Sequence, residues 1–160
     1  MNNNDVIIYT DGSSRGNPGP GGYGIVMEDC KTGFSKQYSK GFQKTTNNRM
    51  ELLAVIDALK KLKKTKLKIT VFTDSKYVVD SIEKKWVFKW KTTRFKNKKN
   101  VDLWLEFLNL QELNSISFKW IKGHNNHPQN ETCDKLAFTA SEKKPLFIDE
   151  GYEKTLNKLF

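Results

Sequence analysis

Asp11 and Asp74 each close an apolar run and a threonine, in "YTDG" and "FTDS". If the two runs are parallel neighbouring strands, both carboxylates emerge at one carboxyl edge, where open α/β sheets place their sites. Glu51 opens a segment of helical periodicity, and Asp134 opens a later one. Each acid also has an ordinary use. Asp74 suits the cap of the helix that follows it, Glu51 a capping box with Asn48, and Asp134 the first turn of a helix, where acids suit the dipole. Gathered together, the four carboxylates repel unless some are protonated or cations intervene. An all-oxygen donor set points to Mg²⁺ or Mn²⁺ rather than zinc, and two such ions about 3.5–4 Å apart are the apparatus of phosphodiester hydrolysis.

His124 follows a glycine in "KGHNNHPQNE" and suits a proton carrier near neutral pH, as well as a plain surface-loop histidine. His124 and His127 are the only two histidines, so their H-x-x-H spacing cannot be completed to a zinc site by a third. "GPGGYG" matches G-x-G-x-x-G, but the residues after it resume as a strand. The helix whose N-terminus would hold a pyrophosphate is missing.

These residues need a scaffold that brings distant parts of the chain together. Val6 to Tyr9, Tyr23 to Met27 and Phe34 to Gly41 read as three antiparallel strands. Between the first two, the run from Asp11 to Gly22 spends five glycines and two prolines, more than a turn requires. "RMELLAVIDALKKLKK" carries Leu52, Val55, Ile56, Leu59 and Leu62 on one helical face. "LKITVFTD" then reads as a strand returned parallel to the first by that helix. Two further helices, a last strand in "SISFKWIKGH" and a closing helix in "NETCDKLAFTASEKK" follow. The expected fold is α/β: a mixed five-stranded sheet, three antiparallel strands then parallel additions, with helices on both faces. One domain over residues 1–145 is expected, then a tail over 146–160 whose weak periodicity suggests fraying.

The chain of 160 residues suits one core, and no apolar run approaches the length of a membrane helix. The N-terminus lacks a basic-then-apolar signal pattern, so a cytoplasmic protein is expected, with Cys30 and Cys133 as reduced thiols. The net charge of +10 favours polyanionic partners. It is not evenly spread. "KKWVFKWKTTRFKNKK" interleaves Lys84, Lys85, Lys89, Lys91, Arg94, Lys96, Lys98 and Lys99 with Trp86, Phe88, Trp90 and Phe95. Cations there suit phosphates and aromatic faces suit sugar or base, while Trp86 and Trp90, one helical turn apart, also suit anchoring in the core.

"YTDGSSRGNPGPGGYG", "TTNNRMELLAVIDAL", "FTDSKYV", "KNVDLW" and "KWIKGHNNHPQNETCDKLA" resemble, in order and over nearly the whole chain, the motifs of type 1 ribonuclease H. The resemblance implies endonucleolytic cleavage of the RNA strand of an RNA-DNA hybrid, leaving 3′-hydroxyl and 5′-phosphate ends. It implies that Asp11, Glu51, Asp74 and Asp134 hold two Mg²⁺ ions, with Asp11 bridging them, and that His124 assists proton transfer or product release. It places Asn17, Asn47 and Asn48 at the minor groove, and Thr46 and Asn100 at a phosphate of the DNA strand. Trp86 and Trp90 fall in the neighbouring channel, with Lys96, Lys98 and Lys99 on the basic protrusion. Lys76 stands where many relatives carry glutamine, which exchanges a groove contact for a charge contact. The protrusion is shorter than in the longest relatives, and few residues precede the first strand, too few for the separate hybrid-binding domain of some relatives. A monomer is expected. Two other classes fit the carboxylates or the charge alone: a DNA nuclease of the same broad fold, and a catalytically silent nucleic-acid-binding module.

Overall fold

Alternation along the first strand sends Ile8 to one face of the sheet and Tyr9 to the other, and both are buried. A strand buried on both faces must lie inside a sheet covered on both sides. The computed structural model, which describes residues 3–123, 127–144 and 146–156, has this arrangement. The strands are β1 (Val6–Ser14), β2 (Gly19–Asp29), β3 (Ser35–Thr45), β4 (Lys68–Thr73) and β5 (Ser115–Trp120), in the spatial order β3-β2-β1-β4-β5. β1 to β3 form the antiparallel meander, and β4 and β5 add in parallel. The helices are α1 (Asn47–Lys60), α2 (Lys76–Glu83), α3 (Trp86–Thr92), α4 (Val101–Gln111), α5 (Pro128–Glu142) and α6 (Glu150–Thr155).

The larger core lies between the sheet and α1, α2 and α4, and centres on Ile25, Leu52, Val55, Ile56, Val71, Trp104 and Phe107. Each such side chain contributes about 1.5–3 kcal/mol by leaving water. A smaller cluster, Tyr9, Val26 and Cys133, seals α5 against the opposite face.

The glycine-rich run is not the long loop expected from its composition. β1 continues through Ser14 and β2 already begins at Gly19, so only Arg15 to Pro18 turn. The glycines work inside the strands instead, where helices press on the backbone. A Cβ on Gly12 would lie 2.4 Å from the Met50 carbonyl carbon, and one on Gly24 would lie 2.3 Å from the Cys133 carbonyl oxygen. Any side chain at those positions would lift α1 or α5 off the sheet.

Helix α1 also departs from expectation at both ends. Thr46 is its N-cap, with Oγ1 accepting from the Arg49 N–H at 3.2 Å, so Asn48 and Glu51 form no capping box. The helix stops at Lys60, before the expected Lys64. Lys60, Lys61, Lys63 and Lys64 would crowd like charges into one more turn, which opposes its continuation. Asp74 does not cap α2, because Ser75 does so by accepting from Val78 N–H. Helix α5 starts at Pro128 with His127 as N-cap, so Asn130 lies within its first turn and not at its start.

The segment after Lys144, expected to fray, is docked over residues 146–156. Phe147 and Gly41 join by a backbone bond, and Asp149 is 6% exposed. The Arg49 guanidinium donates to both Asp149 oxygens, at 2.8 and 3.0 Å, and to both Asp102 oxygens, at 2.9 and 2.7 Å. Thr45 adds a hydroxyl bond to Asp149 at 2.7 Å. Burial raises the Asp102 pKa, but the Arg49 guanidinium outweighs it and holds the carboxyl below the usual range. Replacing Asp149 by Ala leaves donors of a 2%-exposed guanidinium without acceptors and is expected to cost about 3 kcal/mol in urea unfolding. A loss under about 0.5 kcal/mol would show that the docked segment contributes little.

Candidate active site

The parallel register pairs Thr10 with Thr73, so Asp11, still within β1, and Asp74, one residue past the end of β4, stand side by side where the β1–β4 ladder stops. Glu51 reaches them from the first turns of α1, which the missing side chain of Gly12 allows to lie directly on β1. Oxygens of Asp11, Glu51 and Asp74 lie within 4.8 Å of one another. Asp134, on α5, comes from the other face, and its charge adds to the rise in the Asp11 pKa. Three of the four acids singled out in the sequence therefore converge, and Asp134 faces them from α5, near enough for its charge to act on Asp11.

Hydrogen bonds fix the inner pair. Gly12 N–H donates to Asp11 Oδ1 at 3.0 Å and to Glu51 Oε1 at 3.1 Å, and Thr73 Oγ1 bonds Glu51 Oε2 at 3.3 Å. Asp11 is 6% exposed and Glu51 8%. Burial first, and then the Asp74 charge, push Asp11 up to about 8, with a hydrogen bond from Glu51 acting the other way. Glu51 is raised well above the usual range by burial and by the Asp11 and Asp74 charges. Such a group of hard oxygens, held together against repulsion, fits a divalent cation of the Mg²⁺ type, which would replace the protons.

Around this centre the remaining candidate residues fall into two regions. In the first, Asn17 Oδ1 accepts from Asn47 N–H at 3.0 Å, and Asn47 Oδ1 accepts from Ser14 N–H at 2.7 Å. The β1–β2 turn is thereby tied to the start of α1, where Thr46 and exposed Asn48 also sit. Asn100 lies beyond Arg49. Its Oδ1 accepts from Arg49 Nη1 at 3.4 Å and its Nδ2 donates to the Tyr77 hydroxyl at 3.1 Å.

The second region is the basic protrusion. Trp86 is 40% exposed, while Trp90 is half-buried against Trp104 with ring centroids 6.0 Å apart. The two tryptophans are therefore not equivalent anchors, and the buried anchors here are Val87 and Phe95. Lys96, Lys98 and Lys99 are exposed, with Lys98 Nζ 4.8 Å from the Trp90 ring. Arg94, Phe95, Asn97 and Asn100 all have φ between 54° and 62°. Lys76 is exposed at the start of α2, beside Asp74. His124 lies outside the described residues.

Sequence reasoning missed Arg49, Trp120 and Gly123. Arg49 lies two positions before Glu51 in a segment that is otherwise apolar on its inner face, and that was the available signal. For Trp120 and Gly123 the signal was only their closeness to His124.

Comparisons with known proteins agree with this geometry. The RNase H family profile matches residues 3–142. The ribonuclease H of Desulforamulus reducens is 49% identical over 150 residues, covering 91% of this chain and 92% of the relative. That of Nitratidesulfovibrio vulgaris strain DP4 is 46% identical, covering 95% and 99%. Among solved structures, LC9-RNase H1, described as a type 1 RNase H with the type 2 active-site motif, is 31% identical with a TM-score of 0.78, over 99% of this chain and 83% of that one. LC11-RNase H1, solved in complex with an RNA/DNA hybrid, is 27% identical with a TM-score of 0.65, over 86% and 96%. A profile match over most of the chain and relatives near half-identical along nearly their full length, with Asp11, Glu51 and Asp74 gathered beside the β1–β4 ladder, make this chain a member of the ribonuclease H family.

Proposed function

We infer that the protein is an endoribonuclease that hydrolyses the RNA strand of RNA-DNA hybrids, leaving 3′-hydroxyl and 5′-phosphate ends. The observation that carries this reading is the buried carboxylate cluster at the end of β1 and β4 in a chain of this family. Asp11, Glu51, Asp74 and Asp134 would hold two Mg²⁺ ions, for which Mn²⁺ could substitute. When bound, the ions supply an activated water and neutralise charge on the leaving 3′-oxygen. The protein acts as a monomer in the cytoplasm. No helix of the described residues is long and apolar enough to cross a membrane.

The chain's own groups orient the substrate. Asn17, Asn47 and Asn48 present polar groups to the minor groove, where the 2′-hydroxyl distinguishes RNA from DNA. The tie between Asn17 and Asn47 holds the β1–β2 turn and the start of α1 as one surface for this task. Thr46 and Asn100 receive a phosphate of the DNA strand, with Asn100 held by Arg49 and Tyr77. Lys96, Lys98 and Lys99, with Trp86 and the exposed edge of Trp90, grip the backbone further along, and Lys76 contacts the substrate beside Asp74. His124 carries a proton during turnover or product release.

End-labelled RNA-DNA hybrid, DNA duplex, RNA duplex and single-stranded RNA, each with Mg²⁺ or excess chelator, test the function directly. Mg²⁺-dependent cutting confined to the RNA of the hybrid is expected; equal cutting of DNA would overturn the substrate assignment. Asp11→Asn and Asp74→Asn are expected to abolish cleavage while circular dichroism stays native, and full activity in either would sink the metal-site assignment. Neutralising Lys96, Lys98 and Lys99 should weaken hybrid binding and flatten the slope of log affinity against log salt by about 0.9 for each phosphate no longer neutralised, with turnover at saturation nearly kept. Collapsed turnover with unchanged binding would be the contrary result.

The acid cluster also sets a pH dependence. Asp11, raised from 3.8 to about 8, binds its proton more tightly in the folded than in the unfolded chain. Its stabilising contribution is therefore complete below about pH 4 and is lost as pH rises through about 8. In the metal-free protein, thermal unfolding across that window should show this part of the stability falling as pH rises. Mg²⁺ should restore more stability at pH 8 than at pH 5, and Asp11→Asn should flatten the profile. A Mg²⁺ effect independent of pH would contradict the protonated cluster.

A further inference from the structure

Asp74 stands on a bend between the end of β4 and the cap of α2. A ligand on such a bend needs support from its surroundings to keep one geometry. The end of β5 supplies it. Trp120 pairs with Thr73 in the parallel register, so its side chain stands beside the end of β4. Its indole Nε1 donates to the Asp74 carbonyl oxygen at 2.9 Å. Ile121 N–H donates to Thr73 O at 2.9 Å and carries the ladder one step further. The chain then brings Gly123 against the carboxylate: a Cβ there would lie 2.7 Å from Asp74 Oδ2. Asp74 is thus held by its main chain on one side and walled by bare backbone at its carboxylate.

The same ring has a second contact. Trp120 is 43% exposed, which is unusual for a tryptophan at a strand end unless its face is used. Lys76, two residues after Asp74, sets its Nζ 4.7 Å from the centre of the Trp120 ring. An ammonium on an aromatic face keeps its charge and its donors while its position narrows. Trp120 therefore touches, through different atoms, the carboxylate-bearing residue and the cation beside it.

We propose that Trp120 is a positioning residue, whose indole N–H sets the direction of Asp74 and whose ring holds the Lys76 ammonium at the mouth of the acid cluster to meet a phosphate of the RNA strand. The proposal rests on the metal-holding role of Asp74 stated above. It adds that the two functions of the ring are separable. The N–H acts on metal binding and turnover, and the ring face, through Lys76, acts on substrate affinity.

Trp120→Phe deletes the N–H and keeps an aromatic face, and Lys76→Gln deletes the cation and keeps the indole. Both sites are at the surface, and circular dichroism with thermal melting checks that each variant folds. Calorimetric titration of Mg²⁺ alone into the substrate-free proteins gives a readout independent of catalysis. Trp120→Phe is expected to bind Mg²⁺ about five- to tenfold more weakly and to lose a similar factor in kcat, with KM for hybrid within about twofold of wild type. Lys76→Gln is expected to raise KM severalfold, with Mg²⁺ affinity unchanged. In the wild type, the indole ¹⁵N–¹H cross-peak that Trp120→Phe removes should shift as Mg²⁺ is added. Wild-type Mg²⁺ affinity in Trp120→Phe, or a wild-type KM in Lys76→Gln, would overturn the proposal. A wild-type protein that takes up no Mg²⁺ would instead overturn the metal reading of the cluster.

Discussion

Mutual repulsion among Asp11, Glu51, Asp74 and Asp134 is the constraint around which the rest of the structure is arranged. Left to themselves in low dielectric, these carboxylates would separate or stay protonated. The fold denies them the first course. Asp11 and Asp74 are bound to adjacent parallel strands, Glu51 to a helix seated on β1, and Asp134 to a helix on the opposite face. The raised pKa values of Asp11 and Glu51 measure the cost of that confinement. A site that binds divalent cations tightly has to hold its ligands close before the cation arrives, so the instability of the bare cluster and its affinity are one property.

Close backbone approach is how the helices reach their places. Gly12 and Gly24 admit α1 and α5 onto the strands to distances no other residue permits. The absence of side chains there costs packing area locally, and the sheet recovers it in the cores on its two sides. On α1 the same economy continues outward. Arg49, two residues before Glu51, satisfies Asp102, Asp149 and Asn100 together, so the start of α1, the start of α4 and the docked C-terminal segment share one ionic knot. A displacement of any of these elements would be felt both at Glu51 and at Asn100.

The basic protrusion is organised differently from the acid centre. The protrusion from α3 to Asn100 is a short helix followed by turns with several left-handed residues, and it is anchored by Val87 and Phe95 while its lysines remain in solvent. Long-range, salt-sensitive attraction needs only charge in roughly the right place. Chemistry needs atoms placed within a fraction of an ångström, and so Asp11, Glu51 and Asp134 lie on a strand and helices, and Asp74 directly after a strand, rather than on such a loop.

The sequence by itself determined the five strands, the helices α1, α2, α4 and α5, the mixed sheet and which acids to look for, because those follow from local periodicity and from motifs whose residues lie close together in the chain; the short helices α3 and α6 carried no such pattern. "YTDG" and "FTDS" ending alike were enough to place Asp11 and Asp74 at one edge. What the glycines do was not legible. A glycine serving a turn and one serving helix contact look the same in sequence, and only the position of Met50 above Gly12 decides between them. The cap of α1 at Thr46, the docking of Asp149 on Arg49 across 100 residues, and the bond from Trp120 to Asp74 are likewise tertiary facts. Each joins segments far apart in the chain, through side chains whose partners no local pattern names. The sequence thus determined which groups are available for chemistry, and the tertiary structure decided their neighbours, because contact in space rather than order along the chain sets burial, charge and direction.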